Sequence, residues 1–489
     1  EYHIAGTYSN ESSLEELTFN VGENGKSKLQ LIKSKAFYGS RMTNVEFPET
    51  ENDLVLGNIS GTGSSAKFTG QLFSGNVNLR TAKLSTSVKD ITDVFTGCPN
   101  MQSIEVAEGH TVYSSNPGEP ILYNVSKTAI VYICGQLKGN VTGEEGYYRI
   151  ADGITTISAK AFEEQLLLKK VFIPKTVMTI EAEAFKDSSN LKEVVIEHGN
   201  GVTSQLVSIG ASAFENCVSL TTINLPANQT YKELLTKTFN NCTSLTTLVL
   251  PEGLETIQQL SLSNTGITEL TIPSTVKTLV EYNNYPTQMS GLYTTLSHGV
   301  LYSSIGSGNF TAKLKKLTIL CNPESIGTGA FAYCQNLTEV NLSEKLTSIG
   351  VGMFAGCKNL KTIKVVDEFG AVVKGEENKA VLPDSLIEIG NFAFSGAGIT
   401  EMTIPENVEK LGENRMKYAT SESPFYQVSD ITGSYESYTF YMNYPASLEK
   451  VTILSANAAI VNGLFQSCGA LTTVVLNSAM TRIPKPLHN

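Results

Sequence analysis

The sequence predicts a β-rich α/β solenoid running as a single array through residues 1–489. Three observations predict it. A phenylalanine-centred pattern recurs, with adjacent Phe positions 22 to 25 residues apart. Each copy contains a Leu-x-x-Ile-x-Ile stretch, whose period-2 apolar pair marks a short half-buried strand. Pro after that stretch stops the ladder, and an Ile-Gly step supplies a second turn. One such unit cannot bury its apolar residues alone, so copies must stack, with their strands parallel.

The array begins with Leu14, Leu17 and Phe19, which read as a strand. If the Phe is position zero, the pattern places Cys at +3, aliphatics at +6, +9 and +11, and Pro at +12. Phe214, Cys217, Leu220, Ile223, Leu225 and Pro226 carry it in full. Phe239, Cys242, Leu245, Leu248, Leu250 and Pro251 repeat it. Further copies start at Phe95, Phe162, Phe185, Phe331, Phe354 and Phe465, and one-residue-shorter variants at Phe37, Leu262 and Phe394. The Ala-Phe-x-x-Cys segment gives a compact return, for which a helix is allowed.

Four insertions interrupt the array. Residues 107–150 contain two strands, at 120–123 and 128–133, joined at Asn124–Lys127 as a hairpin. Residues 366–380 form a charged loop. Residues 280–313 and 412–447 replace the return at one repeat phase, which puts both on the same side of the solenoid. Both are rich in tyrosine. Tyr282, Tyr285, Tyr293 and Tyr302 lie in the first; Tyr418, Tyr426, Tyr435, Tyr438, Tyr441 and Tyr444 lie in the second. Together they hold ten of the chain's 20 Tyr. All of these except Tyr302 are the candidate binding residues, because Tyr gives large rigid contact area with a polar tip. A small core within each insertion would use the same side chains.

Alternation assigns the outward face of the strands to +8 and +10. Those positions read Ser103 and Glu105, Lys170 and Phe172, Glu193 and Val195, Thr222 and Asn224, Thr247 and Val249, Glu339 and Asn341, Thr362 and Lys364. Phe172 is the sole aromatic there. The face suits a protein partner held by hydrogen bonds, and equally a solvated sheet.

Six of eight Cys occupy +3, namely Cys98, Cys217, Cys242, Cys334, Cys357 and Cys468, which marks a packing position for reduced thiols. Stacking would also bring Cys217 near Cys242 and Cys334 near Cys357, within disulfide reach. The five His are scattered, so no metal site is expected. The Gly-x-Gly-x-x-Ala run from Gly327 to Ala332 is the repeat itself, and no nucleophile elbow or phosphate loop occurs. The acidic pairs Glu144-Glu145, Glu163-Glu164 and Glu376-Glu377 read as solvated turn charges.

Net charge is −11 and the pI about 5.2, which argues against nucleic acid as a partner. The longest clear apolar run, Ala129 to Cys134, is far too short for a transmembrane helix. The chain starts at Glu1, the expectation being a trimmed or mature form.

The motif Ile-Gly-x-x-Ala-Phe-x-x-Cys-x-x-Leu-x-x-Ile-x-Ile-Pro, over nearly the whole chain, resembles the BspA-like class of leucine-rich repeats. The resemblance implies a curved right-handed array with short returns. It implies a secreted or surface-anchored protein, an outer-membrane lipoprotein being one form, of a kind frequent in anaerobic bacteria of gut and mouth. It also implies adhesion to a host extracellular protein or glycoprotein, with no catalysis and no cofactor. Two other readings stay open: a structural spacer that presents another module, and a surface carbohydrate-binding protein. Self-association through the array ends is a further expectation.

Overall fold

Each regular turn contributes two strands. One is the expected Leu-x-x-Ile-x-Ile strand, such as Glu269–Ile272, with alternating exposed and buried residues. The other is a two-residue strand just before the Gly, such as Ser208–Ile209 or Ser348–Ile349. The computed structural model describes residues 3–4, 13–60, 67–199, 201–279, 313–327, 329–390, 393–394, 396–411, 447–456, 459–460 and 468–480. Two compact units divide the chain, Glu1–Asn190 and Leu191–Asn489.

In the first unit, Asn44–Glu46, Thr81–Leu84 and Ser103–Val106 pair in parallel, one repeat position against the same position of the next turn. Tyr147–Arg149 and Lys170–Ile173 do the same. Leu14, Leu17 and Phe19 are not in a strand; they pack, partly buried, on the core, and Leu14 accepts one hydrogen bond from the Arg41 N–H. The 107–150 hairpin forms as Ile121–Asn124 against Ala129–Ile133, with an unforeseen third strand, Tyr113–Ser115. Its far arm is part of the solenoid, because Ala129 and Ile130 pair in parallel with Thr156 and Ile157.

In the second unit, the main sheet runs through Glu269–Ile272, Lys316–Ile319, Glu339–Ser343, Thr362–Val366, Ala380–Val381, Glu401–Ile404, Lys450–Ile453 and Thr473–Leu476. The two-residue strands Glu233–Leu234, Thr256–Ile257, Thr278–Leu279 and Ser325–Ile326 form a separate parallel sheet.

The return is built of turns, and no α-helix occurs among the described residues. In the described returns the residue two before the Phe has positive φ, as at Lys35, Asp93, Lys160, Ser212 and Lys237. So does the residue two after, as at Gly75, Gly97, Asn216 and Asn241. Left-handed residues four apart are incompatible with a right-handed helix. Gly and Asn tolerate this geometry, whereas a residue such as Ser212 costs about 1–2 kcal/mol there. Hydrogen bonds to the neighbouring turn offset that cost. The N–H groups of Ser212, Phe214 and Asn216 donate to the carbonyls of Thr236, Thr238 and Asn240 at 3.0, 2.9 and 2.9 Å. Consecutive returns are therefore stitched like a third ladder.

The core follows from this stitching. In the first unit Phe37, Phe73 and Phe95 stack with centroids 5.4 and 5.9 Å apart, and Phe162 lies 4.7 Å from Phe185. In the second, Phe214–Phe239, Phe331–Phe354 and Phe354–Phe394 stack at 5.5, 6.2 and 5.7 Å. Burying each of these rings contributes about 2–3 kcal/mol. The hairpin continues the column, since Tyr132 packs on Phe95 at 5.9 Å.

The +3 side chain has a defined task. Cys98 Sγ donates to the Phe73 carbonyl at 3.3 Å, Cys242 to Phe214 at 3.1 Å and Cys357 to Phe331 at 3.3 Å. Ser188 performs the same role toward Phe162 at 2.7 Å. The position thus needs a small buried donor aimed at the preceding turn. All eight Cys are buried thiols.

Candidate binding surfaces

Tyr282, Tyr285, Tyr293, Tyr302, Tyr418, Tyr426, Tyr435, Tyr438, Tyr441 and Tyr444 lie outside the described residues. The attachment points of their segments are described. The first follows the strand Thr278–Leu279 and the second follows Lys410–Leu411, both two-residue strands at the same repeat position. After the first, Lys316–Ile319 pairs residue for residue with Glu269–Ile272. After the second, Lys450–Ile453 pairs residue for residue with Glu401–Ile404. Even the approach is alike. The N–H groups of Lys315 and Lys316 both donate to the Thr268 carbonyl, and those of Glu449 and Lys450 both donate to Thr400. Neither long segment disturbs the ladder on either side of it.

The outward strand face is less uniform than alternation predicts. Thr222, Asn224, Thr247 and Val249 are exposed, Val249 to 81%. Asn224 is also a clamp: its Nδ2 donates to the Ile196 carbonyl at 2.9 Å and its Oδ1 accepts the Ile196 N–H at 2.7 Å. Asn341 and Thr362, expected outside, are buried at 3% and 5%. Thr362 Oγ1 accepts the Asn378 N–H at 3.1 Å, so the 366–380 segment covers it. Asn341 Nδ2 donates to Thr318 Oγ1 at 3.2 Å, while its Oδ1 has no hydrogen-bond partner. In the first unit Phe172 is not alone. Tyr147 sits on the neighbouring strand, and Lys170 Nζ lies 5.7 Å from the Tyr147 centroid and 4.7 Å from that of Phe172. Tyr147 escaped sequence reading because it fell inside the 107–150 insertion.

Charges on this face alternate from turn to turn. Lys83 pairs with Glu46 at 2.6 Å, and Lys450 with Glu401 at 2.8 Å. Glu339 is held between Lys316 and Lys364, each at 3.0 Å. Burial pushes the Glu339 carboxyl up, but the two ammonium groups outweigh it and leave it below its ordinary value. On another edge, hydrogen bonds from Lys232 and Lys277 hold the partly exposed Glu255 down at about 2. Such exposed pairs contribute little stability, yet directly opposed like charges would oppose a register slip.

The 366–380 segment, expected as a loop, is a hairpin. Val372–Lys374 runs antiparallel to Thr362–Val366. The apolar residues of its tip and far arm face water: Phe369 is 85% exposed, Val372 55% and Val373 53%.

Among the described residues, the titratable groups with shifted values are scattered through the fold. Burial raises the thiols of Cys98, Cys134 and Cys321 to about 12 and Cys468 to about 11, so they stay protonated and unreactive. Among the described residues no group of three His, Cys, Asp or Glu could hold a metal ion. His110 is structural: Nδ1 accepts the Val112 and Tyr113 N–H groups, and Nε2 lies 2.9 Å from the Val88 carbonyl. Glu163 departs from the expected solvated turn. Burial pushes it up to about 7, against the opposing pull of Lys160 and with Glu183 adding to the rise. No described helix is long and apolar enough to cross a membrane.

The profile of the family described as BspA type leucine rich repeat region (6 copies) matches residues 5–119, 155–288, 300–374 and 374–487. No curated protein matches the sequence. Among solved structures, the chain is similar to the pneumococcal vaccine antigen PcpA, with 18% identity and a TM-score of 0.37. That match covers 65% of this chain and 66% of the antigen, just under two thirds of its length. A leucine-rich repeat protein from Bacteroides ovatus has 16% identity and a TM-score of 0.33, covering 86% of this chain and 87% of its own. A leucine rich cell surface protein from Faecalibacterium prausnitzii has 17% identity and a TM-score of 0.30, covering 76% and 96%.

Proposed function

The chain belongs to the BspA-type leucine-rich repeat family, and from that membership we propose a non-catalytic, secreted or cell-surface binding protein that recognises a host extracellular protein or glycoprotein. The recognition elements are the two Tyr-rich insertions, with the outward strand face as second choice. One observation carries this reading: the ladder keeps its register across both insertions, Glu269 opposite Lys316 and Glu401 opposite Lys450. A scaffold that holds register around long segments can vary those segments without refolding. Half of the chain's tyrosines sit in them, a composition suited to contact surfaces.

The test is a solid-phase screen against extracellular-matrix proteins and mucins. It compares the intact chain, a version lacking residues 412–446, and the triple variant Tyr435→Ala, Tyr438→Ala, Tyr441→Ala. The expected result is binding by the intact chain, loss on deletion, and at least a tenfold weaker Kd for the triple variant at unchanged Tm. Equal binding by all three would move the site to the strand face. Absence of binding by the intact chain would favour the spacer.

A further inference from the structure

An open cleft of about 620 Å³ lies at one edge of the second unit, within the roughly 300–1,000 Å³ usual for small-ligand sites. Its floor comes from the connections that follow successive main-sheet positions. Ser274 follows Glu269–Ile272, Leu320 and Asn322 follow Lys316–Ile319, and Lys345 follows Glu339–Ser343. Glu252, just after Pro251, supplies the same connection one turn earlier. The remaining wall is the tip of the 366–380 hairpin, with Glu368 and Phe369.

The backbone that carries Phe369 is braced, and its side chain faces water. Asp367 Oδ1 accepts the N–H groups of Phe369 and Ala371 at 2.9 Å each. The Gly370 N–H closes the turn on the Asp367 carbonyl at 3.1 Å, with Gly370 at φ +83°, where a side chain would be strained. An aromatic ring 85% exposed on a braced turn is a presented surface rather than a packing residue.

The polar groups of the cleft are also fixed. Ser274 Oγ donates to Glu252 Oε2 at 3.1 Å. Lys345 Nζ donates to Glu368 Oε2 at 2.7 Å. Asn322 Oδ1 accepts the N–H and hydroxyl of Thr347 at 3.0 and 3.1 Å, which orients its NH₂ group as a donor.

A protein hot spot needs a contiguous apolar centre, and here only Leu320 accompanies Phe369. One flat apolar plate ringed by carboxylate, amide, hydroxyl and ammonium matches a sugar ring instead. A pyranose offers one face of C–H bonds to an aromatic ring and a rim of hydroxyls that both donate and accept. Two carboxylates against one ammonium leave the lining slightly negative, which disfavours acidic sugars. From this geometry we infer that the cleft binds a neutral oligosaccharide, with one ring stacked on Phe369 and its hydroxyls bonded to Glu252, Asn322 and Lys345. None of the described lining residues belongs to a Tyr-rich insertion, so the inference can be tested separately from the proposed function.

The experiment uses the full chain on a microarray of neutral and acidic oligosaccharides, followed by calorimetric titration with the strongest hit. Phe369→Ala and Glu252→Gln are compared with the unmodified chain and with the version lacking residues 412–446. The expected result is a neutral hit whose Kd weakens at least tenfold in both point variants at unchanged Tm, and is unaltered by the deletion. No neutral hit, or a hit insensitive to Phe369→Ala, overturns the inference. So does loss of matrix-protein binding in Phe369→Ala without any sugar binding, which would make the hairpin tip a protein contact.

Discussion

Two hairpins leave the repeat at the same place and end differently. Both follow a main-sheet strand, Ser103–Val106 for one and Thr362–Val366 for the other. In the first, Leu122, Ile130 and Ile133 are at most 3% exposed, and the far arm joins the two-residue sheet. In the second, the far arm Val372–Lys374 folds back on its parent strand, with all three residues exposed. The longer segment reaches across the turn to a ladder that needs a strand, and the shorter one finds only its own parent. An insertion becomes core when it can complete a seam, and a presented surface when it cannot.

Substitutions can break that contrast. Ile130→Ala should cost about 2–5 kcal/mol, as for other buried Ile to Ala changes, whereas Phe369→Ala should stay within about 0.5 kcal/mol. Urea unfolding of the two variants checks this, and equal effects would erase the distinction between the hairpins. At the next level, Cys242→Ala should cost about 1 kcal/mol, because the Phe214 carbonyl loses the thiol donor and keeps only the Cys217 N–H. Cys242→Ser should recover part of it, as Ser188 does naturally at this position. If Ser were worse than Ala, packing and not donation would explain the residue.

The smallest effect concerns pH. Glu163 holds its proton to about 7 in the folded chain because it is buried. Its folded pKa is raised, so the native state binds more protons than the unfolded state between about 4.5 and 7, and stability falls as pH rises through that window. Glu163→Gln should therefore leave Tm unchanged near pH 4 and raise it by about 2 °C at pH 8. A Tm difference independent of pH would assign the effect to packing.

Much of this was legible in the sequence. Phe, Cys and the aliphatic triplet keep one phase through many copies, and in turns such as the one at Phe214 each is a buried position. The two-residue strands were hidden because a pair such as Ser208-Ile209 is too short to show alternation. The helix allowed for the return fails on backbone sign at two positions. Only one of them carries a residue signal, the Gly or Asn two after the Phe, while Lys and Ser at the other position give no warning. Outward residues were right where the face meets water, as at Thr247, and wrong at Thr362, because a later segment folds over it. Phe369 went unnoticed inside a stretch that composition marks as charged.

The stitched returns have a mechanical consequence. Within each unit the parallel ladders, the bonds between returns and the stacked rings join a turn to its neighbour. A pulling force applied at an end would therefore meet a series of similar locks, opened one after another rather than together. Opening a regular turn would free one repeat of 22 to 25 residues, roughly 80 Å of extended chain. Regular turns would give way in even steps and dissipate load at each, with longer steps where an insertion separates paired strands, as between Glu269 and Lys316 or Glu401 and Lys450.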